Sequence, residues 1–85
     1  MEIFKNRIYK HFKGDYYIVI DTAINNENSQ EYVIYRALYG NGQLFIRCIE
    51  EFLSKVDKDK YPNATQTYKF ELQDINSINF THREK

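Results

Sequence analysis

Tyr32 to Phe52 constrains the fold more than any other stretch of this chain. Two arms rich in Tyr, Val, Ile and Phe flank Gly40-Asn41-Gly42, and one helical turn follows. Asn-Gly between β-prone arms is the strongest short-range hairpin signal. The pattern predicts strands over Glu31–Tyr39 and Gln43–Cys48. With Asn41-Gly42 as a two-residue loop, Tyr39 faces Leu44, Ala37 faces Ile46 and Tyr35 faces Cys48 on a largely apolar side. The other side then sets Leu38 against Phe45 and Arg36 against Arg47, with Ile34 and Tyr32 further along. A three-residue loop mixes the two sides, so the segregation favours the shorter turn.

The remaining elements rest on similar patterns. Ile8 to Lys13 reads as a short strand closed by Gly14-Asp15, a turn pair. Asp15 to Ile24 is a second strand whose apolar residues fall on both faces, as in a strongly coiled strand of a small barrel. Asn25 to Gln30 is a polar loop of turn formers. Ile49, Phe52, Leu53 and Val56 recur at i, i+3, i+4 and i+7, one apolar helical stripe. Asp57 to Lys60 is a solvated connector, Pro62-Asn63 breaks the chain, and alternating Tyr68, Phe70 and Leu72 mark a last strand over Gln66–Leu72. Four to five short antiparallel strands with one short helical turn define a mainly β fold, a small SH3-like open barrel. The 85 residues form one domain, with a barrel core over about 7–72 and a C-terminal extension over 73–85. In that extension Ile75, Ile78 and Phe80 are placed to cap the core or dock on a neighbour.

A chain this short buries only about 60–65% of the surface its unfolded form exposes, so its core must be dense. Eight Tyr and six Phe supply that density, most of them as core, with Tyr9, Tyr16 and Tyr32 assigned to an outer patch. One cysteine permits no internal disulfide. The first residues lack the layout of a secretory signal, and no apolar run approaches the roughly 20 residues that span a bilayer. A cytoplasmic location without membrane contact is expected. Twelve basic residues balance twelve acidic ones, whereas phosphate-driven nucleic-acid binding normally brings a basic surplus.

Three motifs carry a family resemblance. Tyr9-x-His11-Phe12-Lys13-Gly14, then Tyr35-Arg36-Ala37-Leu38-Tyr39-Gly40, then Phe45-Ile46-Arg47 with Glu50-x-Phe52, together resemble the bacterial family called domain of unknown function 1653. The match runs roughly from Arg7 to Val56. The resemblance implies an SH3-like barrel and no known activity. Where that family usually carries Trp and Arg-Pro, this chain has Phe45 and Arg47-Cys48. The first change shrinks a stacking surface, and the second frees a backbone donor at the strand end.

Candidate chemistry centres on the hairpin. The two-residue register puts Arg36 and Arg47 directly across from each other, which is destabilising unless an acid intervenes. Glu50 and Glu51 are the nearest. The pair reads as an Arg-Glu-Arg cluster closing the barrel rim, as two simply solvated side chains, or as an anion site with Phe45 and Tyr32 for stacking. His11 and Lys13 lie in the most distinctive motif and complete the candidate surface. Only His82 accompanies His11, so no metal site is expected. Cys48 falls on the core face, where a thiol is inert. No cofactor and no catalysis are expected. The sequence favours a non-catalytic module, monomer or homodimer, that recognises a protein partner through an aromatic and arginine surface. An RNA or single-stranded nucleic-acid barrel is one alternative; it needs Lys5, Arg7, Lys10, Lys13, Arg36 and Arg47 on one face. A small anionic-ligand sensor or enzyme accessory domain is the other; it needs a pocket of about 300 Å³ or more.

Overall fold

The computed structural model describes residues 2–74. Ile75, Ile78, Phe80 and His82 lie outside them. Five strands form one antiparallel sheet in the order β4-β3-β2-β1-β5: β1 Ile8–His11, β2 Tyr16–Asn25, β3 Gln30–Ala37, β4 Leu44–Cys48 and β5 Phe70–Leu72, with helix α1 Ile49–Phe52 after β4. The chain is thus mainly β, an open five-stranded sheet with one short helical turn, as the patterning predicts. Among the described residues, no helix is long and apolar enough to cross a membrane.

The central strand shows why its apolar residues point both ways. β2 pairs with β1 through Tyr16–Ile18 and with β3 through Tyr17–Asn25, with a bulge between Val19 and Asp21. A bulge adds one residue, bends the strand and increases its twist. β2 can therefore belong to both halves of the sheet, with Val19 fully buried and Ile20 partly exposed.

The core is aromatic. Tyr9, Val19, Val33, Tyr35, Phe52 and Phe70 form its buried cluster. Phe52 stacks on Phe70 with ring centroids 4.1 Å apart, and Tyr9 and Tyr35 meet Phe52 edge-on. Tyr9 does not join an outer patch: it is 4% exposed, and its hydroxyl accepts the Phe4 amide at 3.0 Å. The helical stripe serves as expected. Phe52 and Val56 are buried, and Ile49 and Leu53 pack on the core. The helix nevertheless stops at Phe52, because the Val56 amide turns to the Thr67 carbonyl at 2.9 Å. β5 is shorter than expected; before it, Lys55 and Tyr68 form only an isolated bridge.

The hairpin register differs from the one its residue pattern favours. Arg36 faces Leu44, Tyr35 faces Phe45, Ile34 faces Ile46, Val33 faces Arg47 and Tyr32 faces Cys48. Arg36 therefore finds its partner three positions from the expected Arg47. An odd shift moves a whole strand's side chains to the opposite face. The cause lies before the turn. Leu38 leaves β3 and donates its amide to the Tyr16 carbonyl at 3.0 Å, while the Tyr39 hydroxyl meets that of Tyr17 at 2.9 Å. The chain reverses over Tyr39–Gly42, closed by the Gly42 amide on the Tyr39 carbonyl at 3.0 Å. Gly40 there takes φ 57°, a left-handed conformation suited to mirror-image turns. As a second consequence, Cys48 is half-buried on the outer side opposite Tyr32, not in the core.

The turn between β1 and β2 is closed by two backbone bonds. Gly14 donates to the His11 carbonyl and His11 to the Asp15 carbonyl, both at 2.8 Å. Gly14 has φ 115°, and a Cβ there would touch nothing within 4 Å. Any penalty for a side chain is thus purely backbone strain. Gly14→Ala is expected to cost about 1–3 kcal/mol, read as a lower urea midpoint at unchanged slope. An unchanged midpoint would show that the turn relaxes freely.

Candidate functional site

Arg47, at the end of β4, points to the inner side of the sheet because its partner Val33 does. Its Nε donates to the Tyr35 hydroxyl at 3.1 Å, its guanidinium lies 5.3 Å from the Phe70 ring centre, and Nη1 is 3.8 Å from Glu51. Glu51 also takes the Lys69 ammonium. An Arg36–Glu–Arg47 cluster does not form; instead Arg47, Glu51 and Lys69 make one, tying the end of β4 and α1 to the chain entering β5. That ligation holds the Glu51 carboxyl below its usual range, first through the Lys69 hydrogen bond and then through the charges of Lys69 and Arg47. Half-exposed pairs of this kind contribute about 0–1 kcal/mol each, so the cluster positions side chains more than it stabilises the fold.

His11 shares this inner side. Its register partners are Phe70 in β5 and, through the turn, Asp15. The ring packs on Phe12 at 4.6 Å and edge-on to Phe70 at 4.8 Å. Nδ1 accepts the Lys13 amide at 3.2 Å, so the neutral ring carries its proton on Nε2. Tyr17 stands beside it, edge-on to Tyr35 and Phe70. Burial, then the hydrogen bond to Tyr39, pushes the Tyr17 hydroxyl far above its ordinary pKa, so it remains a protonated donor.

The connector after α1 closes the arrangement. Asp57 accepts the amides of Asp59 and Lys60 on its carboxylate and that of Tyr61 on its carbonyl, folding the segment back. Tyr61 then meets Phe12 edge-on at 4.9 Å, with Lys13 Nζ 5.2 Å from its ring centre. The result is a cleft of about 470 Å³, with Lys13, Arg47, Lys60 and Lys69 against Asp15 and Asp57, and with His11, Phe12, Tyr17 and Tyr61 as its walls. Arg47 and Lys69 already share Glu51, so the four cations meet three carboxylates; the remaining positive charge, set among aromatic faces, suits an anion with a flat or apolar attachment.

Of the sequence candidates, His11, Lys13 and Arg47 come together here. Phe45 flanks them, 6.2 Å from Tyr17 and 5.7 Å from Tyr35. Arg36 does not join them: it is exposed on the outer side and donates to the Gly42 carbonyl at 2.9 Å. Tyr32 is also outer, beside Ile24, Ile34 and Ile46. Glu50 is exposed on α1; the carboxylate that meets Arg47 is Glu51. Sequence reasoning missed Tyr17, Lys60, Tyr61 and Lys69. Tyr17 reads as core and Lys60 as part of the solvated connector Asp57 to Lys60, while Tyr61 carries no assignment of its own. The six basic residues of the nucleic-acid reading divide among several places. Lys5 pairs with Asp21 at 2.9 Å, Arg7 reaches the Gln73 carbonyl at 3.4 Å, and Lys10 lies over Tyr16.

The electrostatics give a pH test. His11 is held below its ordinary 6.5, first by burial and then by the charges of Arg47 and Lys13. The unfolded chain therefore binds the His11 proton more readily than the folded one. This group's contribution to stability is complete above pH 6.5 and is lost as pH falls from 6.5 through the folded value. A bound anion opposes those charges and raises the His11 pKa. NMR titration of the His11 ring protons is expected to give a midpoint below 6.5 in the free protein; a midpoint at or above it contradicts the assignment.

Fold and cleft together define a small open-sheet domain with one cationic, aromatic depression on its inner side. The chain belongs to the family described as Protein of unknown function (DUF1653), whose model matches residues 7–72. It is similar to the crystal structure of a DUF1653 protein from Bordetella bronchiseptica, with a TM-score of 0.65 and 26% identity over 80% of this chain and 85% of that one. No curated protein matches the chain.

Proposed function

We propose that the domain is a non-catalytic binding module that recognises a protein partner by seating a carboxylate- or phosphate-bearing group in the inner cleft. The observation that carries this reading is the convergence of Lys13, Arg47, Lys60 and Lys69 around His11, Tyr17 and Tyr61. In this reading Arg47 supplies the directional fork and the lysines supply charge. The Tyr17 hydroxyl and His11 Nε2 are donors, and the rings of Phe12 and Tyr61 contact the apolar part of the ligand. Small barrels commonly recognise extended segments on aromatic-lined surfaces. A non-catalytic role is consistent with the single cysteine and His11 lying on opposite sides of the sheet.

One observation favours a free small anion as the second reading. At about 470 Å³ the cleft falls within the range of small-molecule sites, roughly 300–1,000 Å³. Nucleic-acid binding draws less support, because its six cations do not share a face.

The test is isothermal titration with an acidic peptide, a phosphopeptide and inorganic phosphate at two ionic strengths. Binding is expected to weaken as salt rises from about 0.05 to 0.5 M, since the Debye length then falls from above 10 Å to below 5 Å. Lys13→Ala, which removes an exposed charge, is expected to weaken binding several-fold with the melting temperature unchanged. Salt-independent binding, or full affinity in Lys13→Ala, refutes the cleft.

A further inference from the structure

Among the described residues β4 ends the sheet, and its outer edge has an unusual make-up. The Ala37 amide donates to the Gln43 carbonyl at 2.9 Å. In the alternation of an antiparallel ladder, that makes Tyr35/Phe45 and Val33/Arg47 the hydrogen-bonded pairs. Leu44, Ile46 and Cys48 therefore turn their amides and carbonyls away from β3. Among the described residues, no other element donates a backbone hydrogen bond to these carbonyls from beyond α1, and none accepts one from these amides. The Leu44 carbonyl has only a long 3.5 Å contact from the Gln43 side chain. Edge strands are usually guarded by a lysine, a proline, a bulge or an inward charge. Of these devices β4 carries only the inward charge, Arg47, and that charge is already engaged by Tyr35 and Glu51, while the outward Ile46 and Leu44 are 66% and 44% exposed.

We propose that β4 is a self-pairing edge, and that two copies of this chain associate antiparallel about a two-fold axis at Ile46. The register is self-complementary. Ile46 exchanges both backbone hydrogen bonds with Ile46 of the partner subunit, and the Cys48 amide reaches Leu44 of the partner subunit. On the outer side, Ile46 packs on its symmetry mate beside the apolar depression of Ile24, Tyr32 and Ile34. On the inner side, Phe45 of the partner subunit comes opposite Arg47 in a non-hydrogen-bonded pair, where side chains approach most closely. An aromatic face set against a guanidinium is an attractive cross-strand pair, and it adds a wall to the cleft that Arg47 lines. The chain carries no net charge at neutral pH, so long-range repulsion does not oppose the pairing.

Sedimentation of the full chain at about 0.01–0.5 mM tests this. A mass rising toward twice 10.3 kDa is expected. Ile46→Lys, which sets two ammonium groups across the axis, should remain at the single-chain mass throughout. Cys48→Pro removes the outward amide together with the thiol's 3.7 Å contact to Gln30 within the same chain, and Cys48 has φ −54°, which proline adopts without strain. It should raise the dimer dissociation constant about tenfold or more while its amide spectrum keeps the pattern of the parent fold. A parent chain that stays at the single-chain mass at every concentration overturns the proposal. So does a dimer that survives both substitutions, because its contacts then lie elsewhere.

Discussion

Phe52→Ala is expected to lower the melting temperature by about 12–40 °C, because removing a fully buried phenylalanine costs about 3–5 kcal/mol and each kcal/mol moves a domain of this size by about 4–8 °C. Phe52 has no exposed surface, and it contacts three other core rings: Phe70 face to face, and Tyr9 and Tyr35 edge-on. The helical turn that carries it spans only Ile49–Phe52, far too short to hold itself, so packing of this ring is what retains α1 on the sheet. A domain of 85 residues has a total stability of roughly 4–13 kcal/mol, so the substitution removes a large share of it. The cleft should fail with the fold, since Arg47 lies just before this turn and its partner Glu51 lies on it. Differential scanning calorimetry checks the result. A loss of less than about 5 °C, which corresponds to about 1 kcal/mol, would mean that the aromatic cluster does not organise the domain.

The second large effect falls on Arg47, which has both a structural and a binding task. Arg47→Ala deprives the Tyr35 hydroxyl of its partner at 3.1 Å in a residue 3% exposed. An unsatisfied buried hydroxyl costs about 1–3 kcal/mol, so the domain is expected to stay folded at 25 °C with a lower denaturation midpoint. Anion binding should fall about 10–100-fold, the equivalent of one charge-assisted hydrogen bond of about 1.5–3 kcal/mol. Arg36→Ala is the matched control, because that side chain is held by a loop carbonyl on the other side of the sheet; its anion affinity should be unchanged. Equal losses in the two variants would mean that charge alone, and not the cleft, governs binding.

Local pattern made the strands and the helical stripe legible, since alternation and i, i+3, i+4 spacing need only neighbours in sequence. The register of the hairpin was not legible. Gly40-Asn41-Gly42 accepts more than one loop, and the choice was made by Leu38 and Tyr39, which peel away from β3 to reach Tyr16 and Tyr17. No window around the turn contains that information. His11, Lys13 and Arg47 could be singled out as residue types, yet the grounds for joining Arg36 to Arg47 disappeared with the register. Lys69 and Tyr61 became visible only in the fold, because Lys69 enters through Glu51 and Tyr61 through Phe12, both long-range contacts. Tyr9 reads as part of an outer patch, but its hydroxyl finds the Phe4 amide, which makes its burial possible.

The most direct test of the inner cleft as the binding face is a two-dimensional NMR titration of labelled protein with an acidic peptide, inorganic phosphate and a short single-stranded oligonucleotide. Shifts are expected at His11, Lys13, Tyr17, Arg47 and Lys69 with at least one of the first two ligands, while Tyr32, Ile34 and Arg36 on the outer side stay unmoved. Shifts confined to Tyr32, Ile34 and Arg36, or no response to any anion at millimolar concentration, would contradict it.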